Sequence, residues 1–278
     1  MPEAVSLATA IKTLLRPGQS VALEGFTHLI PYAAGHEIIR QGLTGLTLIR
    51  MTPDLLYDQM IGMGCARKLI FSWGGNPGVG SLHRFRDAIE NAWPRPLEIE
   101  EHSHAGMACG YEAGASGLPF GVLRGYVGTD LIRQHQRVRR IECPFTGEKL
   151  AAVPALRPDV AIVHAQRADR RGNVLFEGIV GVQKECLYAA RRSLVTVEKI
   201  VDELTPSGRM ATIVPASPAM TICEVPFGAV PSYAQGCYPR SNAFYIAWDG
   251  ISRDRDRFRA WMEAHGIVPE CRVEELSR

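Results

Sequence analysis

The sequence predicts an α/β fold, with a mainly parallel sheet, helices on both faces and a more strand-rich second half. From the N-terminus to about residue 101, short apolar runs alternate with helix-period segments. That β-α-β-α order suits parallel strands joined by helical crossovers. From Pro144 onward the extended runs crowd together as "KLAAVPAL", "VAIVHAQ", "NVLFEG" and "LVTVEKIV", divided by turn residues such as Asp169-Arg-Arg-Gly172-Asn173. The 278 residues, 46% hydrophobic and 22% charged, suffice for a well-buried core. With no internal repeat, low-complexity stretch or linker, a single domain over residues 1–278 is expected.

Each element has a local reason. Leu7, Ile11, Leu14 and Leu15 mark one face of a first helix, which Pro17-Gly18 ends. "SVALE" (20–24) is a strand, and Pro31 at the first helical position and Gly42 past the last bracket the helix "PYAAGHEIIRQ". The strand "LTLIRM" (46–51), the helix "PDLLYDQMIGMG" and the strand "KLIFSW" (68–73) follow. A glycine-rich turn then leads into a helix from near Ser81 to about Asn91, and "LEIEE" (97–101) is a further strand. Near the C-terminus "SRDRDRFRAWMEAHG" is an amphipathic helix with Phe258, Trp261 and Met262 inward.

Composition excludes several classes. A net charge of +2 offers no electrostatic grip on nucleic acid or a membrane surface, and the short basic run Arg137–Arg140 reads as a solvated face. No apolar stretch is long enough to span a bilayer, and the N-terminal segment lacks the plan of a signal peptide. Seven cysteines, without a Cys-x-x-Cys pair, read as small core residues of a reducing compartment, so a cytoplasmic protein is expected.

In open α/β sheets ligands bind beyond the carboxyl ends of the strands. Three loops leave such ends: "EGFTHLIP" (24–31), "GGNPGVGS" (74–81) and "EHSHAGM" (101–107). The second is a phosphate-binding loop without its lysine. Its glycines and the following helix N-terminus suit a carboxylate, a thioester oxygen or a single phosphate group, and not a nucleoside triphosphate; a plain tight turn is the alternative. In the first loop Gly25, Phe26 and Thr27 have backbone N–H groups suited to an oxyanion, and His28 is a candidate donor to an anion. In the third, His102 and His104 would share a face if the strand continued, but no third ligand of convincing spacing accompanies them, so no metal is expected. Glu101 beside two imidazoles is a candidate general base, or else a carboxylate tied to a helix N-terminus. A Gly-x-Ser-x-Gly elbow and a dinucleotide Gly-x-Gly-x-x-Gly are both absent. The residues describe an acyl- or anion-binding enzyme subunit without a visible nucleophile.

The stretches "VALEGFTHLIPYAAGHE", "RMTPDLLYDQMIGMGCARKLIFSWGGNPGVGSLHR", "CPFTGEKLAAVPALRPDVAIVHAQRADRRGNV" and "VTVEKIVDEL" resemble the α subunit of family I CoA-transferases of the glutaconate type, nearest the branch acting on 3-oxoadipate. The resemblance spans about residues 5 to 264. It implies a β-subunit partner carrying the catalytic glutamate, which forms an enzyme–CoA thioester, and it implies coenzyme A as a substrate with no tightly bound cofactor. It implies that Gly25 and Phe26 face the thioester oxyanion, and that Gly75, Asn76, Gly78, Gly80 and Ser81 line the acyl or CoA pocket. It also implies a further glycine ahead of the proline, where this chain has Leu29-Ile30-Pro31. Relatives include a ring-opening hydrolase of CoA-linked cyclic diones, in which an α-subunit carboxylate near Glu101 or His104 acts. A sugar-phosphate isomerase shares the broad fold, and a non-catalytic ligand-binding module is the remaining alternative.

Overall fold

Alternating small and branched residues at the centre of the sheet let helices pack on both of its faces. The computed structural model describes residues 5–208 and 210–270. Strands β1 (Ser20–Glu24), β2 (Leu46–Ile49), β3 (Ala66–Phe71) and β4 (Glu98–Glu101) lie side by side and parallel, separated in the chain by helices α2 (Tyr32–Arg40), α3 (Leu55–Gly62) and α4 (His83–Glu90), after an opening helix α1 (Leu7–Leu14). Helix α5 (His104–Ala115) leads to a separate three-stranded antiparallel sheet of order β5-β7-β6, formed by β5 (Phe120–Leu123), β6 (Arg139–Glu142) and β7 (Lys149–Pro154), with α6 (Asp130–Gln134) between β5 and β6.

The second half returns to the main sheet. Strand β8 (Val160–Asp169) pairs parallel with β1, and β10 (Arg192–Val201) and β12 (Met220–Glu224) extend the parallel array beyond it. The turn at Asp169–Asn173 makes β9 (Val174–Glu177) fold back antiparallel on the overhanging end of β8, and β11 (Ala211–Val214) adds antiparallel to β9. The strand-rich second half is therefore mixed, attached to one continuous parallel sheet. Helix α7 (Gln183–Ala189) and the C-terminal pair α8 (Asn242–Arg253) and α9 (Arg255–Ala264) complete the layers.

Period-two alternation splits β1 between the faces. Val21 and Leu23 join a core with Ile11, Tyr57, Phe85, Trp248 and Phe258, while Ala22 faces Met107 of α5 and Cys186 of α7. A third, smaller core of Tyr126, Ile132, Val138, Ala151 and Val153 lies under the small sheet.

Local signals worked to within a residue or two. Ser6 caps α1, and Gly42 takes a left-handed φ of 63° just past α2. Pro31 sits one place outside α2, as its flanking residue. Strands β2 and β3 end at Ile49 and Phe71, short of the expected Met51 and Trp73, and α4 starts at His83 instead of Ser81. The C-terminal pattern divides into two helices because Asp254 accepts from Asp256 N and Arg257 N and so opens α9 as its own cap. Phe258 and Met262 are fully buried, whereas Trp261 is only half-buried. Among the described residues no helix is long and apolar enough to cross a membrane, and all six described cysteines are free.

Candidate active site

Because β1, β3 and β4 run parallel, Gly25, the glycine-rich turn and Glu101 leave the same rim of the sheet. The first segment folds tightly back. A Cβ on Gly25 would lie 2.7 Å from the Leu29 carbonyl oxygen and 2.9 Å from Ile30 Cα, so the turn needs glycine there. Thr27 and Leu29 both occupy the left-handed region, at φ 62° and 54°, a strained state that surrounding contacts must hold. Those contacts come from later in the chain. Leu29 N donates to Tyr233 O, and the His28 ring stacks on Tyr233 at 4.7 Å. His28 Nε2 lies 2.5 Å from Ile179 O, and burial lowers its pKa, so the neutral ring commits its donor to the backbone. The expectation that His28 donates to a bound anion therefore fails on geometry. Phe26 is half-buried and Thr27 exposed, so this peptide stretch reaches solvent.

Beneath the turn lies a buried polar cluster. Glu24 accepts from Met51 N and from the Tyr111 hydroxyl, each at 2.9 Å. Burial pushes the Glu24 carboxyl up to about 7 against the pull of Arg50 and these donors. Arg50, 1% exposed, donates to Gly25 O at 3.1 Å and to both Asp54 oxygens at 3.0 and 3.4 Å. A charged pair at the end of β2 and a carboxylate at the end of β1 had no signal in sequence pattern beyond their place at strand ends.

The second segment is closed on itself. Gly75 N donates to Pro53 O, Asn76 N to Gly80 O, and both Val79 N and Gly80 N to Asn76 O. Asn76, 2% exposed, donates its side-chain amide to Tyr245 O at 2.7 Å. Gly78 supplies a left-handed φ of 80°, Gly80 lies against Asp249, and Ser81 is half-buried. The start of α4 does attract an anion, but the protein provides it: Asp58 Oδ1 accepts from Arg84 N at 2.8 Å and Phe85 N at 2.9 Å, and Oδ2 from the Trp248 indole. Burial pushes Asp58 up to about 6 despite these donors. The expected ligand anion at this helix N-terminus is thus replaced by a buried side chain.

In the third segment β4 ends at Glu101, and Ser103 caps α5 by accepting from Gly106 N. His104 becomes the first, exposed residue of that helix while His102 is buried, so the two imidazoles do not share a face. Glu101 is exposed and the cap belongs to Ser103, so Glu101 is not the carboxylate tied to the helix start. His102 instead meets residues that spacing did not reveal. Its Nε2 lies 3.1 Å from Glu100 Oε1 and 3.1 Å from His135 Nε2, and its Nδ1 2.9 Å from the Tyr126 hydroxyl. Glu100 shares a strand face with His102 by alternation, a signal that was legible; His135 arrives from beyond α6.

Glu100, His102 and His135 have metal-ligand spacing, which supplies the third partner that sequence spacing lacked. Their neighbours argue against an ion. His135 Nδ1 accepts from Arg137 N and Val138 N at 3.1 and 3.2 Å, so only its Nε2 faces the cluster. Lys68 and Arg137 add positive charge at 2.8 and 3.3 Å from Glu100. Although burial works the other way, bonds from His102 and Lys68 and the Arg137 charge hold Glu100 down at about 2, while burial and His102 push His135 down to about 4. A cavity of about 320 Å³ opens beside this cluster, lined by Lys68, Glu98, Glu101 and Leu131 among others.

On the far side of β1, Glu198 accepts from buried His164, from the Tyr238 hydroxyl and from Phe227 N. This network fastens the segment carrying Tyr233, and so supports the first turn from outside.

Residues 4–225 match the family model described as Coenzyme A transferase. The chain is 59% identical to the A-type subunit of 3-oxoadipate CoA-transferase from Pseudomonas knackmussii, over 95% of this chain and 94% of that one. It is 32% identical to the A-type subunit of glutaconate CoA-transferase from Acidaminococcus fermentans, over 94% and 87% of the two chains. The solved structure of glutaconate CoA-transferase from that organism superposes with a TM-score of 0.86 at 30% identity, again over 94% and 87%. A cholesterol ring-cleaving hydrolase subunit of Rhodococcus jostii is 28% identical over 86% of this chain and 83% of that one.

Proposed function

The chain belongs to the coenzyme A transferase family, and from that membership we propose that it is the A-type subunit of a heteromeric CoA-transferase which moves CoA from an acyl-CoA such as succinyl-CoA to 3-oxoadipate. The support is the turn after Gly25, which reaches solvent at Thr27, in a chain 59% identical along 95% of its length to such a polypeptide. The partner subunit brings the nucleophilic glutamate. Its carboxylate attacks the acyl-CoA carbonyl and expels CoA thiolate, leaving a mixed anhydride. The thiolate then attacks the glutamyl carbonyl, releasing the donor acid and forming a glutamyl–CoA thioester. The acceptor carboxylate repeats these steps in reverse and leaves as its own CoA ester.

Each step passes through a tetrahedral oxyanion, and splitting one transfer into such steps is what covalent catalysis achieves. This chain contributes backbone donors from the Gly25–Phe26–Thr27 stretch to that oxygen. The loop at Gly75, Asn76, Gly78, Gly80 and Ser81 forms a wall of the acyl or CoA pocket by shape, since the N–H groups of Gly75, Asn76, Val79 and Gly80 are engaged inside the protein. His102 and His104 follow Glu101 at the same rim, His102 buried and His104 exposed at the start of α5, so of the two His104 is the one open to a substrate.

The test compares this chain alone with the chain co-expressed with its β-subunit partner, using succinyl-CoA and 3-oxoadipate. Transfer is expected only from the complex, with the hydroxylamine-sensitive thioester on the partner. Turnover by this polypeptide alone, with a thioester trapped on it, refutes the proposal. Exposed Glu101 favours one second reading, a hydrolase in which this carboxylate activates water; water-dependent CoA-ester cleavage without any trapped thioester is its signature.

A further inference from the structure

We propose that Arg50 is the positioning residue that orients the Gly25–Phe26 peptide and so presents the Phe26 N–H to the oxygen of the reacting thioester. The inference rests on the reading of this turn as an oxyanion site and adds the device that sets its geometry. In a trans peptide the C=O and the following N–H point in opposite directions. Arg50 Nη2 holds the Gly25 carbonyl inward at 3.1 Å, so the N–H of the same peptide, that of Phe26, faces the other way, toward the rim.

Gly25 cannot enforce this orientation by itself. Without a side chain, glycine admits both orientations of the peptide that follows it. The remainder of the turn is held from elsewhere, through Leu29 N on Tyr233 O and His28 on Ile179 O. The Gly25 end is held by a buried guanidinium.

Such a cation is costly to keep in a core, and apolar replacements of buried ion pairs are often neutral or stabilising. Arg50 is 1% exposed, its Nε is buried without a partner, and two buried carboxylates, Glu24 and Asp54, stand around it. Asp54 already has a structural task, capping α3 through Leu56 N. The contact in the cluster that a hydrophobic core could not reproduce is the one to Gly25 O. A planar fork reaches a carboxylate and a carbonyl together, whereas the point charge of lysine does not.

The experiment uses the complex with its partner subunit, assayed with succinyl-CoA and 3-oxoadipate. Arg50→Lys keeps a cation near Glu24 and Asp54 but loses the two-armed contact. The expected result is a fall in kcat of about 10²–10³-fold, the size seen when one oxyanion donor is lost, with KM for succinyl-CoA within about threefold. Asp58→Asn is the control: it weakens a buried carboxylate contact from α3 to the start of α4, behind the other loop, and is expected to lower the melting temperature with kcat unchanged. A crystal structure of the Arg50→Lys complex is expected to show the Gly25 carbonyl released from its inward position. Should Arg50→Lys fail to assemble, the charge-neutral pair Arg50→Gln/Asp54→Asn is read in the same way. Retained kcat, a fall in kcat that Asp58→Asn matches, or an inward carbonyl with kcat lost overturns the inference. Transfer by the wild-type complex is the reference: its absence strikes the functional reading, and its presence beside a fully active Arg50→Lys strikes this inference alone.

Discussion

Two glycine-bearing turns leave the same rim and do opposite things with their backbone. The 75–80 loop has more glycines and resembles a phosphate cradle, yet Gly75, Asn76, Val79 and Gly80 all donate to carbonyls within the protein, and Asp58 satisfies the start of the helix behind it. The turn after Gly25 has one glycine, but its carbonyl is anchored inward by Arg50 and its exposed stretch begins at Phe26–Thr27. Where each N–H goes separates the proposed oxyanion turn from a turn whose donors are already satisfied; glycine content does not.

The difference predicts unequal responses to the same change. Gly25→Ala places a Cβ 2.7 Å from the Leu29 carbonyl oxygen, so backbone must move at the proposed donors. The loss of kcat in the complex is expected to be about 10²–10³-fold. Gly80→Ala meets only the Asp249 side chain, at 3.2 Å, and its φ is not left-handed. Because this loop contributes to the pocket by shape and not by donors, kcat is expected to stay within about threefold, with any cost falling on KM. Steady-state kinetics on both variants checks this. A Gly80→Ala loss as large as that of Gly25→Ala would mean that the closed loop opens to bind substrate.

The parallel order of β1 to β4 was legible because β1 to β3 carried apolar runs and each crossover its own helical period. The shared rim follows from that order. The partition of hydrogen bonds along the rim was not legible. Asp58 looks like one more polar residue in "PDLLYDQM", and only the approach of α4 shows that it caps that helix. Arg50 lies in a strand-like run and gave no hint of burial, since a buried arginine depends on Glu24 and Asp54 arriving together. The antiparallel small sheet was missed as a unit because β5 and β6 pair through β7, which comes last of the three in sequence. Local signals survive in sequence, whereas a contact such as His102 to His135 depends on the whole topology.

The third segment differs from both turns in its response to pH. Here again the polar atoms face one another, and the cost of disturbing them is titratable. Burial and His102 lower His135 from its ordinary 6.5 to about 4. The folded state therefore binds this proton less readily than the unfolded chain. The associated stability is complete above about 6.5 and is lost as pH falls toward about 4. Glu24 and Asp58, raised to about 7 and 6, act with the opposite sign, losing stability as pH rises through those values. The difference between wild type and His135→Gln isolates the histidine. On acidification from pH 6.5 to 4 the wild-type melting temperature is expected to fall more steeply than that of the variant. Parallel curves would show that the His135 ring is not held neutral against His102.

The smallest effect is expected where the rim is most open. Glu101 is exposed at the end of β4, and Ser103 takes the capping role beside it, so removing its charge breaks no buried contact. In a transferase the covalent work is done by the partner's glutamate. Glu101→Gln should then leave the hydroxylamine-sensitive thioester intact and reduce turnover only slightly, because exposed charges act weakly through water. In a hydrolase the same carboxylate would activate the attacking water, and general base catalysis contributes about 10²–10⁴-fold. The same carboxylate is thus a bystander beside the proposed oxyanion turn or the catalytic base of a different reaction. Reconstituting Glu101→Gln with the partner subunit, trapping thioester and following both CoA transfer and CoA release separates the two. Thioester at wild-type level with near-normal transfer leaves the chemistry with the Gly25 turn and the partner. Loss of CoA-ester cleavage by two orders of magnitude or more, with no thioester trapped even in the wild type, would move the active carboxylate onto this chain.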